Sequence, residues 1–504
     1  MGAAAAVIAA SVLLSRLLGL GREALLASLI GVNTEGDLYR QAFAIPDFLN
    51  YLLAGAYLSI TLIPILSRHL ERGHTGKASQ AFTSVFRFVG WAILALTAVM
   101  WLAADPLVSL VFPEASDHER LVSLTRLVLP AQVFLVMGAL LTAVQYTHRR
   151  FLLPALAPIV YNLGIIAGGL IGAAMGEASP EGFLWGAVIG SAVGNFGLQW
   201  FGARSTGTWL TRLTREDSSV REYLILALPL MLGQSIAVLD EQFVRWFGQI
   251  DEGATSALTF ARQLNMVPVG VIAQAAGVAA FPFLARLAAG GDDAELTRTT
   301  GRAARNTLFV AAAATAALVV LARPLVRLIY QHGEFTSENT ELVASLLILY
   351  AFSIPAWGLH QILSRHFYAK RKMWTVVLIG TAGTLAAIPI WLALYSAMGA
   401  KGFALASTLV MTVYALALLV AWGRDSGWAP VRLLLPSLLR GLISAGVAGL
   451  IAYPLVQAMF GDGEMSIIAG LAAAAVGAVT TVAAFLGVSY LLRAPELNEL
   501  RRRS

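Results

Sequence analysis

The sequence predicts an all-α polytopic membrane protein of about fourteen transmembrane helices, and three observations carry that prediction. Of its 504 residues, 58% are hydrophobic and 13% charged, against about 25% charged in a soluble domain. The apolar residues gather in runs of roughly 20 to 30, the length that crosses a bilayer core as a helix. Short Gly-, Pro- and charge-bearing segments separate the runs. Lipid offers the backbone no hydrogen-bond partner, so runs of this kind are helices and not strands.

In chain order the spans fall near 3–30, 38–67, 79–104, 121–147, 152–175, 182–203, 219–248, 254–287, 300–331, 340–369, 373–398, 401–423, 431–459 and 465–492. No basic leader or cleavage site precedes the first, which is expected to be retained as a helix. The intervening segments alternate in charge. One set carries Arg68, Arg72 and Lys77, then His148, Arg149 and Arg150, then Arg204, Arg212, Arg215 and Arg221. It continues with Arg286, Arg298, Arg302 and Arg305, with Lys370, Arg371 and Lys372, with Arg424 and Arg432, and with Arg501, Arg502 and Arg503. The other set is acidic or nearly bare, with Glu35, Asp37, Asp105, Glu114, Glu177, Glu181, Asp251, Glu252, Asp462 and Glu464. The basic set belongs on the cytoplasmic side, which places both termini inside a cytoplasmic membrane.

An internal repeat organises the spans. Arg40-Gln41 with Pro46 recurs as Arg262-Gln263 with Pro268, Pro64 to Arg68 as Pro282 to Arg286, and Tyr146 as Tyr368, each with basic residues shortly after. Each unit holds six helices, an even number, so the halves are parallel repeats about an axis along the membrane normal, with a substrate site expected between them. The charged linker from Arg204 to Glu222 joins them. Three segments follow: a six-helix bundle over 1–205, a second over 206–428, and an additional helix pair with a basic tail over 429–504.

Absence of cysteine removes disulfides and thiolate metal sites. The net charge of +6 sits in short interhelical segments, which is a topology signal and no mark of nucleic-acid binding. There is no P-loop, HExxH or GxSxG. Energy must therefore come from an ion gradient, the membrane potential or the substrate's own gradient. Sodium and protons both stay open as coupling ions, and no cofactor is expected.

The chemistry concentrates in Ser15-Arg16-Leu17-Leu18-Gly19-Leu20-Gly21-Arg22-Glu23, inside the first span. Charges there are costly unless they face water or a partner, so the segment is expected to line a cavity for an anion. A bend at Gly19 and Gly21 would aim both arginines at one place. The competing reading makes Glu23 the neutraliser of one arginine in a structural lock. At a rise of about 1.5 Å per residue, Arg22 lies roughly 13 Å below the outer end of its helix, nearly level with Arg262 of the eighth. Arg16, Arg22 and Arg262 would then fork around a diphosphate, which guanidinium geometry suits. On the seventh span Glu241 and Arg245 have ion-pair spacing. Asp240 is left to hold Arg262 or to bind a proton or sodium. Asp37 reads as a gate or a helix cap. Snorkelling to the interface is expected of Arg40, Arg126, His360, Arg365 and His366.

These residues resemble those of MviN/MurJ-type lipid II flippases. The likeness runs through Ser15-Arg16, Gly19 and Arg22-Glu23, then Gly31, Asp37, Ala44-Ile45-Pro46, Ala54-Gly55-Ala56 and Ile63-Pro64. It continues in Phe260 to Leu264 with Pro268 and Gly270, in Tyr330 to Thr336, and in Arg365 to Ala369. The resemblance implies the multidrug/oligosaccharidyl-lipid/polysaccharide exporter fold. It implies two six-helix bundles in a V around a cationic cavity, and two extra C-terminal helices making a groove for the undecaprenyl tail. It implies that lipid II moves from the inner to the outer leaflet by alternating access, for cell wall synthesis. It also implies a monomer among membrane lipids, Arg16, Arg22 and Arg262 as cavity arginines, and Asp37 as the family's acid. Two positions depart from the pattern. Asn50-Tyr51 stand where many relatives carry an arginine pair, and the eleventh span, Thr375 to Thr384, lacks the Asn and Asp of a sodium site.

The function expected is therefore lipid II flipping. The rivals are export of another polyprenyl-linked glycan and cation-coupled drug export on the same fold. An integral-membrane transferase would need a cavity acid with a metal or base, for which Asp240 and Glu241 are the candidates.

Overall fold

The computed structural model describes residues 2–52, 55–176, 178–212, 219–273, 279–460 and 467–497, and among these every regular element is a helix. The chain divides into two compact units. The first is Met1–Ser256 with His332–Phe335, and the second is Ala257–Gln331 with Thr336–Ser504.

The first unit opens with α1, Gly2–Leu29, an uninterrupted apolar helix. Asn33 starts α2, Thr34–Ala42, by accepting the Gly36 N–H at 3.0 Å. The single span expected over 38–67 is instead α2, α3 (Ala44–Leu52) and α4 (Gly55–Glu71). Pro46 explains the first break. It has no N–H for the Ala42 carbonyl, and its ring crowds that carbonyl, so α2 ends there. Then come α5, Thr75–Leu102, the short α6, Ala104–Val111, and α7, His118–Val128, with Asp117 as its cap. After Pro130 follow α8, Ala131–Thr147, and α9, Leu152–Ala174. The sixth predicted span is α10, Pro180–Gly190, a π-helical stretch Ser191–Gly197, and α11, Leu198–Arg204. Long α12, Ser219–Phe247, completes the unit, and its core packs Leu62, Phe82, Val136 and Leu140 from α4, α5 and α8.

The second unit takes up most of α13, Ala254–Ala273, which accommodates Pro268 without a break, and then α14, Ala279–Ala289. Asp292 caps the 38-residue α15, Asp293–Tyr330, and Thr336 caps α16, Ser337–Ala351. α16 is bent by 40° against α17, Ile354–Ala369. Helix α18, Met373–Ser426, is two helices joined at Gly399, whose φ of 57° and ψ of −138° interrupt the helical path. Glycine enters that left-handed region without a Cβ clash. The expected boundary between the spans 373–398 and 401–423 is at this residue. α19, Ala429–Phe460, and α20, Ile467–Leu491, follow, both packed on α15 with Phe309 against Phe485. Among the described residues seven helices are long and apolar enough to cross a membrane, and the bent pair α16–α17 makes an eighth.

Candidate functional site

Helix α1 runs through Ser15 to Glu23 without a break, so the glycines do not unwind it. A Cβ added at Gly19 or Gly21 would meet nothing within 4 Å, so the helix borders open space at each of these two positions. Arg16 is exposed and makes no ion pair among the described residues.

Arg22 is engaged on two sides. Its Nη2 donates to Glu23 Oε1 at 2.7 Å, and its Nη1 donates to Asn162 Oδ1 of α9 at 3.2 Å. Glu23 in turn accepts Arg40 Nη1 of α2 on Oε2 at 3.1 Å. The Glu23 and Arg40 side chains are 4% and 5% exposed, against 23% for Arg22. Burying a carboxylate is costly unless it is paired and hydrogen-bonded, and two guanidiniums meet that condition here. Glu23 is thus held between two guanidiniums, one from its own helix and one from α2.

The snorkelling expected of Arg40 is not observed. A desolvated carboxylate lies within reach on α1 and replaces the polar interface as its partner. His366 departs from the same expectation. It is fully buried, with Nδ1 3.0 Å from Thr300 Oγ1 and Nε2 3.6 Å from Asp425, because α15 and the end of α18 supply polar partners inside the unit. Burial alone would lower the pKa of neighbouring Lys370, but the Asp425 and Asp293 carboxylates hold it above its ordinary value. Arg126 packs over the Trp101 ring at 5.3 Å and donates to the Trp101 carbonyl at 3.2 Å.

Asp37 is buried in the first turn of α2, where its Oδ1 accepts the Ser256 N–H at 2.7 Å. Arg245 of α12 reaches Asp47 of α3 at 2.7 Å. Asp240 and Glu241 lie on α12, but their side chains fall outside the described residues, as do all those of 228–241. Arg262 lies half-buried on α13, in the second unit, whereas Arg16 and Arg22 lie in the first. At the departure noted in the sequence, Asn50 is half-buried on α3.

Sequence reasoning missed Asn162 and the burial of Arg40. Asn162 carried a signal, being an amide in an apolar run with Pro158 one turn before it. A further cluster went unread: Arg120 of α7 pairs with Glu35 of α2 at 2.8 Å and with Glu181 of α10 at 2.9 Å. No group of three or more metal-binding side chains occurs among the described residues.

An arginine-bearing, partly buried cluster on apolar helices suits an anion carried on a lipid, and the relatives of this chain agree with that chemistry. The sequence profile of the family described as "Lipid II flippase MurJ" matches residues 26–470. This chain belongs to the lipid II flippase MurJ family. A probable lipid II flippase MurJ of Rhizobium meliloti (strain 1021) is 26% identical over 520 residues, covering 99% of this chain and 95% of the relative. A lipid II flippase MurJ of Burkholderia cenocepacia is 28% identical, covering 73% of each chain. The fold matches a solved lipid II flippase MurJ in an inward closed conformation with a TM-score of 0.78 at 22% identity, over 96% of this chain and 98% of the other. An inward-facing multidrug resistance MATE transporter of the MOP superfamily matches with a TM-score of 0.68 at 16% identity, over 83% of this chain and 96% of the other. That likeness is one of fold alone. The chain is a multi-pass membrane protein of the MurJ family.

Proposed function

We propose that this protein flips lipid II from the inner to the outer leaflet of a bacterial cytoplasmic membrane by alternating access, with both termini cytoplasmic and the monomer as the working unit. The observation that supports it best is the Arg22–Glu23–Arg40 cluster, which places two guanidiniums about one buried carboxylate on the helices of a MurJ-family chain, with Arg22 partly exposed. A diphosphate is the part of lipid II that such charge recognises. Guanidinium donors bind phosphate oxygens in pairs, and the low dielectric around them strengthens the contact.

In this reading Arg16 and Arg22 of the first unit and Arg262 of the second grip the diphosphate in turn as the two halves rock, while membrane lipid surrounds the carrier. Glu23 holds Arg22, and Asp37, Asp240 and Glu241 serve as gate, ion-pair or coupling groups. Sodium, protons and the membrane potential are the candidate drivers. No covalent step is required, so the protein acts as a transporter.

The test is reconstitution into liposomes with lipid II of labelled headgroup, scoring its movement between leaflets. Wild-type protein should move it, and Arg262→Ala should abolish movement while inserting normally. Unimpaired flipping by that variant would refute the assignment. Transport of another polyprenyl-linked glycan in place of lipid II would favour the rival exporter.

A further inference from the structure

We propose that Asn162 is a positioning residue for Arg22, holding its guanidinium so that the uncommitted donors face the substrate's phosphate groups. The inference rests on the reading of Arg22 as a diphosphate ligand and extends it to a residue on another helix.

A guanidinium has five N–H donors. In Arg22 two are committed, one from Nη1 to Asn162 and one from Nη2 to Glu23. The three left over are Nε–H and the second hydrogens of Nη1 and Nη2. Nε is buried with no hydrogen-bond partner among the described residues, an arrangement that native proteins avoid unless a ligand or water completes it. Phosphate oxygens supply acceptors of the required kind.

The orientation of Asn162 is fixed from its other end. Its Nδ2 donates to the Pro158 carbonyl at 2.9 Å and to Ser15 Oγ at 3.4 Å. With both amide hydrogens directed elsewhere, Oδ1 is the face turned to Arg22. Ser15 and Arg22 are seven residues apart and share a face of α1, so one amide clasps two successive levels of that helix to α9.

The choice of amide over acid also follows from charge. Glu23 already provides one carboxylate, shared with Arg40. A second carboxylate at position 162 would pair with Arg22 and oppose its field at the place where the phosphate must be attracted. A neutral acceptor fixes the guanidinium and leaves its field intact.

The experiment measures equilibrium binding of fluorescent lipid II to the purified full-length protein in detergent, by anisotropy, beside flipping kinetics in liposomes. Hydrogen bonds to charged groups correspond to a loss of roughly ten- to a hundredfold when removed. Asn162→Ala should weaken lipid II binding by about tenfold or more and raise the apparent KM, while kcat stays within about twofold. The double variant Asn162→Ala/Arg22→Ala should bind as Arg22→Ala alone does, because the amide acts through the guanidinium. If Asn162→Ala does not fold, Asn162→Asp, which keeps the shape, should still fold and bind more weakly than wild type.

Unchanged binding by either Asn162 variant overturns the proposal, as does a fall confined to kcat or full additivity with Arg22→Ala. Two failures separate cleanly. If Arg22→Ala binds lipid II as wild type does, the ligand reading of Arg22 is lost and the positioning role with it. If Arg22→Ala binds weakly while Asn162→Ala is normal, only the positioning role falls.

Discussion

The Asp37 carboxylate accepts the backbone N–H of Ser256 at 2.7 Å across 219 residues of sequence. Ser256 is the third residue of α13, and the first N–H groups of a helix have no partner within it. Asp37 therefore caps a helix other than its own.

From this geometry Asp37→Ala is expected to destabilise the protein by about 1–2 kcal/mol, the range of a lost cap. Asp37→Asn keeps an acceptor oxygen and should lose less. Thermal unfolding in detergent reads the difference, and an Ala variant that melts with wild type would exclude the capping role.

Glu23 carries a larger effect. It is shared by Arg22 and Arg40, and Arg40 is almost fully buried. Glu23→Gln removes the common carboxylate and leaves two guanidiniums without that counter-charge. Breaking a buried pair from one side costs about 3–5 kcal/mol. The expected outcome is a protein that fails to accumulate in the membrane or unfolds far below wild type. Glu23→Gln combined with Arg40→Met removes one charge of each sign and should recover part of the loss. An equally unstable double variant would show that the pair does not act as a unit.

The charged segment of α1 was legible in the sequence because three ionisable residues in an apolar run are conspicuous at any register. The two helices within α18 were legible for a similar local reason, the small and polar residues around Gly399. What stayed hidden depended on neighbours far along the chain. Arg40 reads as an interfacial residue until Glu23 is placed beside it, and Asn162 reads as a stray amide until its oxygen meets Arg22. The two halves share the Arg-Gln…Pro pattern, yet Pro46 separates α2 from α3 while Pro268 sits inside α13. The residues around the two prolines differ, Ala42-Phe43-Ala44-Ile45 against Leu264-Asn265-Met266-Val267 before them and Asp47 against Val269 after, so a proline at the same spacing breaks one helix and not the other.

Close packing of α9 on α10 yields a further prediction. A Cβ at Gly168 would collide with the Gly182 carbonyl oxygen and lie 2.7 Å from Gly186 Cα. Backbone stands on the far side, so no side chain can swing away. Gly168→Val should force the helices apart, with overpacking of this kind costing about 1–3 kcal/mol or more. Gly19→Val, where a Cβ meets nothing, is the control for the loss of glycine itself. Similar melting of the two variants would contradict the close approach.

Gly333 allows conformational strain to be separated from collision. Its φ is +59°, and a Cβ there would collide with the Ser28 carbonyl oxygen. That same oxygen accepts the Glu334 N–H at 2.9 Å, so the His332–Phe335 segment is hydrogen-bonded to the last turn of α1 within the first unit. Gly73 has a comparable φ of +73° with nothing within 4 Å of its Cβ position. Alanine at Gly73 should therefore show the left-handed penalty alone, about 1–2 kcal/mol. Alanine at Gly333 adds a backbone clash that can be relieved only by withdrawing the segment from Ser28. Gly333→Ala should melt well below Gly73→Ala, and hydrogen exchange at the Glu334 amide should accelerate in the first variant and not in the second. Equal melting with an undisturbed Glu334 amide would mean that the segment does not depend on glycine for its contact with α1.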